Sequence, residues 1–172
     1  MKQQLIISGT GGQGILFLTR LLAETAILED FDVLTAETHG MAMRGGTVIS
    51  HVKVGPFKSP VIGKGKADCG LFLTASNLDD HGSFIKKSGK CFVNTCKEGK
   101  YMNIDATKIA ADCGSQVVAN LVLLGYAAQQ ESLFCGSRVI EETIKKLSLP
   151  RHLDINLEGF KRGLFYKSGG KV

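Results

Sequence analysis

The feature that most constrains this 172-residue chain is a run of glycines set between two apolar segments of different period. Residues 4–8 are short, apolar and bounded, the pattern of a buried strand. Gly9-Thr10-Gly11-Gly12-Gln13-Gly14 follows at once. Across residues 15–29 the positions Ile15, Leu18, Leu21, Leu22 and Ile27 then share one helical face. A strand, a glycine turn and a helix in that order belong to an α/β chain, with helices packed over neighbouring strands.

The rest of the chain continues the alternation with one irregularity. Residues 31–38 read as a second strand and residues 47–54, rich in β-branched side chains, as a third, with no helix between them. Pro56, Pro60, Gly63 and Gly65 mark an irregular connection to an apolar strand at 69–73. A short helical piece is expected at 78–86, short strands at 90–94 and 101–104, and a largely apolar helix at 115–130. Val139, Ile140, Thr143, Ile144 and Leu147 repeat at helical spacing until Pro150, and residues 156–166 form a last amphipathic helix. The expected fold is a single α/β domain over residues 1–172, a three-layer Rossmann-like arrangement with a mostly parallel sheet flanked by helices. A chain of this length buries roughly two-thirds of its unfolded surface, so no disulfide or metal staple is required. No apolar run approaches the roughly 20 residues that span a bilayer, and Met1-Lys2-Gln3-Gln4 opens directly into the first strand. The expectation is a cytoplasmic protein with neither signal peptide nor membrane contact.

Side-chain chemistry removes several function classes. Five cysteines, an odd number with no Cys-x-x-Cys, read as reduced thiols packing as small hydrophobes. Cys91 and Cys96 have the spacing that opens a plant-type iron–sulfur run, but Gly99 stands where the third cysteine is needed. His39, His51, His81 and His152 have no compact ligand spacing, and Asp79-Asp80-His81 reads as a solvated helix start. With no Gly-x-Ser-x-Gly elbow either, neither a metal site nor a catalytic residue is expected. The net charge of +5 and pI near 9.0 suit nucleic acid, an acidic partner or a phosphate-bearing ligand. The basic residues are scattered apart from Lys161, Arg162, Lys167 and Lys171, and there is no Trp to stack on bases. A nucleic-acid role is therefore not expected.

The glycine run satisfies G-x-G-x-x-G in the required strand-to-helix context. Glycines let the chain approach an anion closely, and the amides and dipole of the helix start attract phosphate. The plain alternative is a tight turn needed only for packing. A second informative segment starts at Glu37-Thr38-His39-Gly40, passes Arg44-Gly45-Gly46 and ends at His51. Its loop follows the second strand and should lie near the glycine loop, where Arg44 can contact phosphate or stand solvated. Glu37 also occupies the place of a ribose-binding acid, so an NAD(P)-binding oxidoreductase acting alone is the alternative reading. The missing helix after the second strand leaves that nucleotide half-fold incomplete.

Taken together, Gly9-Thr10-Gly11-Gly12-Gln13-Gly14-Ile15 and the segment from Glu37 to Val52 resemble the gamma subunits of 2-oxoacid:ferredoxin oxidoreductases. They look most like the branch that forms the small (beta) subunit of indolepyruvate ferredoxin oxidoreductases. Similarity continues through Ser59-Pro60, Ala67-Asp68, Val93-Asn94-Thr95, Asn120–Gly125 and 156–163, nearly the whole chain. The resemblance implies a subunit of a complex that converts a 2-oxoacid to an acyl-coenzyme A and reduces ferredoxin. It places thiamine diphosphate and the iron–sulfur clusters on partner subunits, and this chain on the coenzyme A side. Gly9 would shape the turn, with the amides of Gly11, Gly12, Gln13 and Gly14 holding phosphate. Thr38, His39 and Arg44 would line the same cleft or the subunit contact. The sequence departs from its relatives after the fourth strand. Acids are common there, but this chain carries Thr74 and Asn77, with Asp79 and Asp80 displaced.

Overall fold

A computed structural model describes residues 1–39 and 46–167. In chain order the elements are β1 (Gln3–Thr10), α1 (Ile15–Leu28), β2 (Val33–His39), β3 (Thr47–Val54), β4 (Ala67–Phe72), α2 (Asn77–His81), β5 (Ile85–Asn94), β6 (Met102–Ile104), α3 (Ala106–Asp112), α4 (Ala119–Gln129), α5 (Ser137–Leu147) and α6 (Leu153–Leu164). The strands form one sheet in the order β2-β3-β1-β4-β5-β6. β1, β4, β5 and β6 run parallel, while β3 is antiparallel to both of its neighbours. The expected mostly parallel sheet is thus present, with β3 alone reversed. Connection length decides this. α1 carries the chain back across the sheet between β1 and β2, whereas the short β2–β3 link permits only an antiparallel return.

Strand alternation sorts the apolar residues into two layers of unequal depth. Leu5 and Ile7 of β1, Val52 and Val54 of β3, and Cys69 and Leu71 of β4 face the deep layer built by α1, α4, α5 and α6. α4 is buried from Asn120 to Ala127 and so lacks a polar face. It meets α6 backbone against backbone at glycines. A Cβ on Gly163 would overlap the Val122 carbonyl, and one on Gly125 the Phe160 carbonyl. On the other face Ile6, Ile49, Phe72 and Val93 gather around Ile62. That layer is thin, made of short α2, a 3₁₀ turn at Gly82–Phe84 and the irregular 55–66 connection.

Some elements differ from the sequence expectation. The helical piece expected at 78–86 stops early, and Ile85 and Lys86 already belong to β5. β5 is longer than the expected 90–94 because Ile85–Lys90 is too polar to read as a buried strand. That portion pairs with β4 across an irregularity between Ala67 and Cys69. α3 is not foreseen in the sequence. It is only seven residues long, started by Asp105, whose carboxylate accepts from the Lys108 amide at 3.0 Å. α6 begins three residues before the predicted position, after a 3₁₀ turn at Pro150–His152.

Candidate functional site

β1 delivers the chain into the glycine loop at the carboxyl end of the parallel strands. Gly12 and Gly14 have φ of 92° and 74°, a region where a side chain is strained. The loop is tied from within. The Gly11 amide donates to the Gly46 carbonyl at 3.2 Å and the Gln13 amide to the Thr10 carbonyl at 3.3 Å. The Gln13 side chain does more than its amide. Its Oε1 accepts from the Thr10 amide at 2.7 Å and from the Thr74 hydroxyl at 2.8 Å, while Nε2 donates to the Leu73 carbonyl at 3.3 Å. Gln13 therefore bridges the ends of β1 and β4. A Cβ on Gly9 would lie 2.5 Å from that Oε1 and 3.0 Å from Leu73, so Gly9 makes room for the bridge.

α1 starts at Ile15 with no side-chain cap, which leaves first-turn amides for another acceptor. A Cβ on Gly11 or Gly12 would meet nothing within 4 Å. Gly11 also lacks a positive φ, so neither conformation nor internal packing explains a glycine there. The connection after β1 leads to one side of the sheet and the connection after β4 to the other. The crevice between their ends is the place where open α/β sheets bind ligands.

Three clefts meet at this loop. One, about 240 Å³, runs from Gly12 and Gln13 to Asn94, Thr107, Gln116 and Asn120. A second, about 340 Å³, is bordered by Thr10, Gly11, Gly12, Leu16 and Val48. The third, about 320 Å³, is mainly apolar, with Phe17, Leu121, Leu149 and Ile155 beyond Gly14. Asn94 donates to the Leu73 carbonyl at 3.1 Å and the Thr107 hydroxyl at 2.8 Å, and accepts from the Thr107 amide. Asn120, nearly fully buried, donates to the Gly14 carbonyl at 3.3 Å. Asn94 and Asn120 enter the sequence reading only through resemblance. Thr107 is missed because α3 is missed, and Gln116 has no local signal.

The structure brings the two sequence motifs together. In the strand register Gly9, Val48 and His39 form one row, and Ser8, Ile49 and Thr38 the next. Thr38 and His39 therefore stand at the same end of the sheet as the glycine loop, about 10 Å away across β3. Successive residues alternate, which puts Thr38 on the thin face. Arg44 and the rest of 40–45 lie outside the described residues. The same register removes the geometry of the nicotinamide reading. A ribose-binding acid needs its strand directly beside the first, but β3 stands between Glu37 and β1.

Beneath the loop on the thin face is a buried polar cluster. Asn77 donates to the Ser8 hydroxyl at 3.1 Å, and Ser8 Oγ lies 2.7 Å from His81 Nδ1. Ser8 Oγ has one proton and two lone pairs, so it can accept from Asn77 and still donate to or accept from His81 according to the imidazole tautomer. Asp79 and Asp80 lie exposed in the first turn of α2, as the sequence leads one to expect, whereas His81 at its end is a bonded residue. Burial lowers the pKa of His81 and, with the nearby charges of His81 and Lys53, that of His51. All five cysteines are free, and burial pushes the Cys69, Cys91 and Cys135 thiols up to about 12. Among the described residues no cluster of His, Cys, Asp and Glu could hold a metal, and no helix is long and apolar enough to cross a membrane.

Comparison with known proteins agrees with this arrangement. The family described as pyruvate ferredoxin/flavodoxin oxidoreductase matches residues 4–166. Indolepyruvate oxidoreductase subunit IorB of Archaeoglobus fulgidus is 30% identical, over 95% of this chain and 94% of its own. The keto/oxoacid ferredoxin oxidoreductase gamma subunit of Geobacter sulfurreducens superposes with a TM-score of 0.73 at 24% identity, over 94% of this chain and 98% of its own. A 2-oxoglutarate:ferredoxin oxidoreductase chain of Magnetococcus marinus, solved with 2-oxoglutarate, coenzyme A and succinyl-CoA bound, superposes with a TM-score of 0.77 at 18% identity. That match covers 95% of this chain and 30% of the other. The chain therefore belongs to the pyruvate ferredoxin/flavodoxin oxidoreductase family, whose gamma-type small subunits it matches over nearly its whole length.

Proposed function

We propose that this chain, as one gamma-type domain, is a subunit of a cytoplasmic 2-oxoacid:ferredoxin oxidoreductase and serves the coenzyme A side of its reaction. The observation that carries this reading is the join at the sheet end. The glycine loop is bonded through Gly11 to Gly46 beside two glycines whose side-chain space is open. The Magnetococcus marinus structure with coenzyme A bound supports the ligand class. Coenzyme A supplies the thiol that takes the acyl group.

The residues present fit its diphosphate. The uncapped start of α1 and the amides of Gly12 and Gly14 offer donors and a positive dipole end, while Gly11 and Gln13 amides are engaged inside the loop. Gln13 then acts through its side chain, holding the loop in place, and Gly9 makes room for it. Thr38, His39 and Arg44 line the same cleft or the contact with a partner. Thiamine diphosphate and the iron–sulfur clusters are assigned to partner subunits, from which ferredoxin is reduced. No catalytic residue is assigned here, and the isolated chain is expected to be inactive, binding neither nucleic acid nor membrane.

The test is anaerobic affinity purification of the chain from its host, followed by 2-oxoacid-dependent dye reduction over a panel of acids. Recovery of thiamine-binding and iron–sulfur chains with coenzyme A-dependent activity is expected. A lone chain that binds NADH would overturn the reading. In the assembled complex, Arg44→Ala should raise the coenzyme A requirement or weaken assembly, and no change in either would remove Arg44 from the site.

A further inference from the structure

The basic residues look scattered in sequence, but the fold gathers several of them at the end of the thin face opposite the glycine loop. Lys53 points to that face from β3, directly across from Gln4 of β1. Its Nζ lies 5.2 Å from the centre of the Phe57 ring, and the Nζ of Lys2 lies 5.7 Å from the same ring. Two ammonium groups thus share one aromatic ring. Lys53 is only 8% exposed, yet no carboxylate pairs with it or with Lys2 among the described residues. The neighbouring acid in that row, Asp68 of β4, is already engaged by Lys86 and by the Gln4 amide. Asp32, which precedes β2, reaches neither lysine within ion-pair distance.

The connection over this end adds to the imbalance. Between Val54 and Ala67 the chain carries Lys58, Lys64 and Lys66 and no acid. Ile62 anchors it, fully buried, with its amide donating to His51 Nδ1 at 3.4 Å. The three lysines and Val61, 58% exposed, are left at the surface. An apolar residue among unpaired cations suits a protein partner with acidic groups around an apolar contact.

We infer that this lysine-rich end, centred on Lys2, Lys53 and Phe57 and covered by the Lys58–Lys66 connection, docks an acidic face of another subunit of the same complex. The inference rests on the subunit reading above but concerns a separate surface. β1 spans its eight residues between the two ends, which places this surface about 25 Å from the glycine loop.

The experiment is to co-express the tagged chain with its partner subunits and wash the bound complex from low salt to about 1 M, where the screening length falls to about 3 Å. Wild type, Lys2→Gln/Lys53→Gln and Lys2→Arg/Lys53→Arg are compared for partner retention. The glutamine variant should release a partner at lower salt, with about tenfold weaker association at low ionic strength that converges with wild type at high salt. The arginine variant should behave as wild type. A glutamine variant with the wild-type salt profile would overturn the inference, as would equal losses in both variants, which indicate a packing role. Binding of inorganic phosphate lost in the glutamine variant, with partner retention unchanged, would overturn it in favour of a small-anion site. A wild-type chain that recovers no partner at any salt would instead overturn the subunit reading, and this surface with it.

Discussion

Two groups of glycines in this molecule have opposite reasons for being glycine. Those between α4 and α6 are required from within. Gly125 and Gly163 face backbone carbonyls of the opposite helix, and Gly159 faces Val118, so a methyl group has nowhere to go. Gly11 and Gly12 stand in open space, and Gly11 is not even held at positive φ. Gly14 combines both demands, with a left-handed φ and the Asn120 amide where its Cβ would sit. The contrast separates glycines required by packing or, as at Gly12, by a positive φ from Gly11, which neither requires.

That separation can be broken at several points. Gly163→Ala should have the largest effect, about 3 kcal/mol or more, because backbone on the facing helix cannot yield as a side chain can. Urea unfolding of the purified chain measures it, and a stable variant would mean that α4 and α6 are not in the close contact described. Gly14→Ala should cost about 2 kcal/mol, from the unfavourable φ together with the Asn120 collision. Adding Asn120→Ala should recover only the collision, so full recovery would show that backbone conformation is not limiting at this position.

Gln13→Ala sharpens the comparison on the loop side. Loss of three hydrogen bonds across β1 and β4 predicts a destabilisation of about 1–2 kcal/mol and faster amide exchange at the loop. Unchanged exchange would leave the bridge without a structural role. Gly11→Ala should move stability by no more than about 0.5 kcal/mol. In the assembled complex the same change should raise the coenzyme A KM or impair assembly. If neither moves, the open space at Gly11 serves nothing outside the chain.

The last effect expected is on pH. Burial holds the folded-state pKa of His51 and His81 below the ordinary 6.5. The unfolded chain therefore takes up protons first as pH falls. Their contribution to stability is complete above about pH 6.5 and declines below it, towards the lowered values. Urea midpoints at about pH 7 and about pH 5 should differ in that direction, and His81→Gln should reduce the difference. A midpoint that rises on acidification would contradict the buried neutral state of these rings.

Much of the fold was legible because periodicity and turn chemistry are local. The third strand was read at its observed bounds, since β-branched residues run between two glycine-bearing loops. The start of α1 was marked by the glycine run itself. β5 is half hidden because Lys86, Lys87, Ser88 and Lys90 carry no apolar alternation, and it is the pairing of Ile85 and Lys90 with β4, on either side of an irregularity, that holds this stretch in the strand. For the site, the sequence singled out the loop but assigned Gln13 a backbone role. Its side-chain bridge depends on Leu73 and Thr74, about sixty residues away. Thr74 and Asn77, unexplained departures in the sequence, prove to hold the loop and Ser8 in place.

By itself, then, the sequence determined the strand–glycine–helix unit, the alternating α/β order, the free thiols and the family, because each rests on neighbours in the chain or on motifs read whole. Only the tertiary structure decided that β3 inserts between β1 and β2, which takes Glu37 off the strand beside β1 where a nicotinamide fold carries its ribose-binding acid. It alone also set which glycines are crowded and which open, and gathered distant lysines around Phe57. Those outcomes depend on strand order and on which faces meet, and hydrophobic pattern along one chain leaves both undetermined.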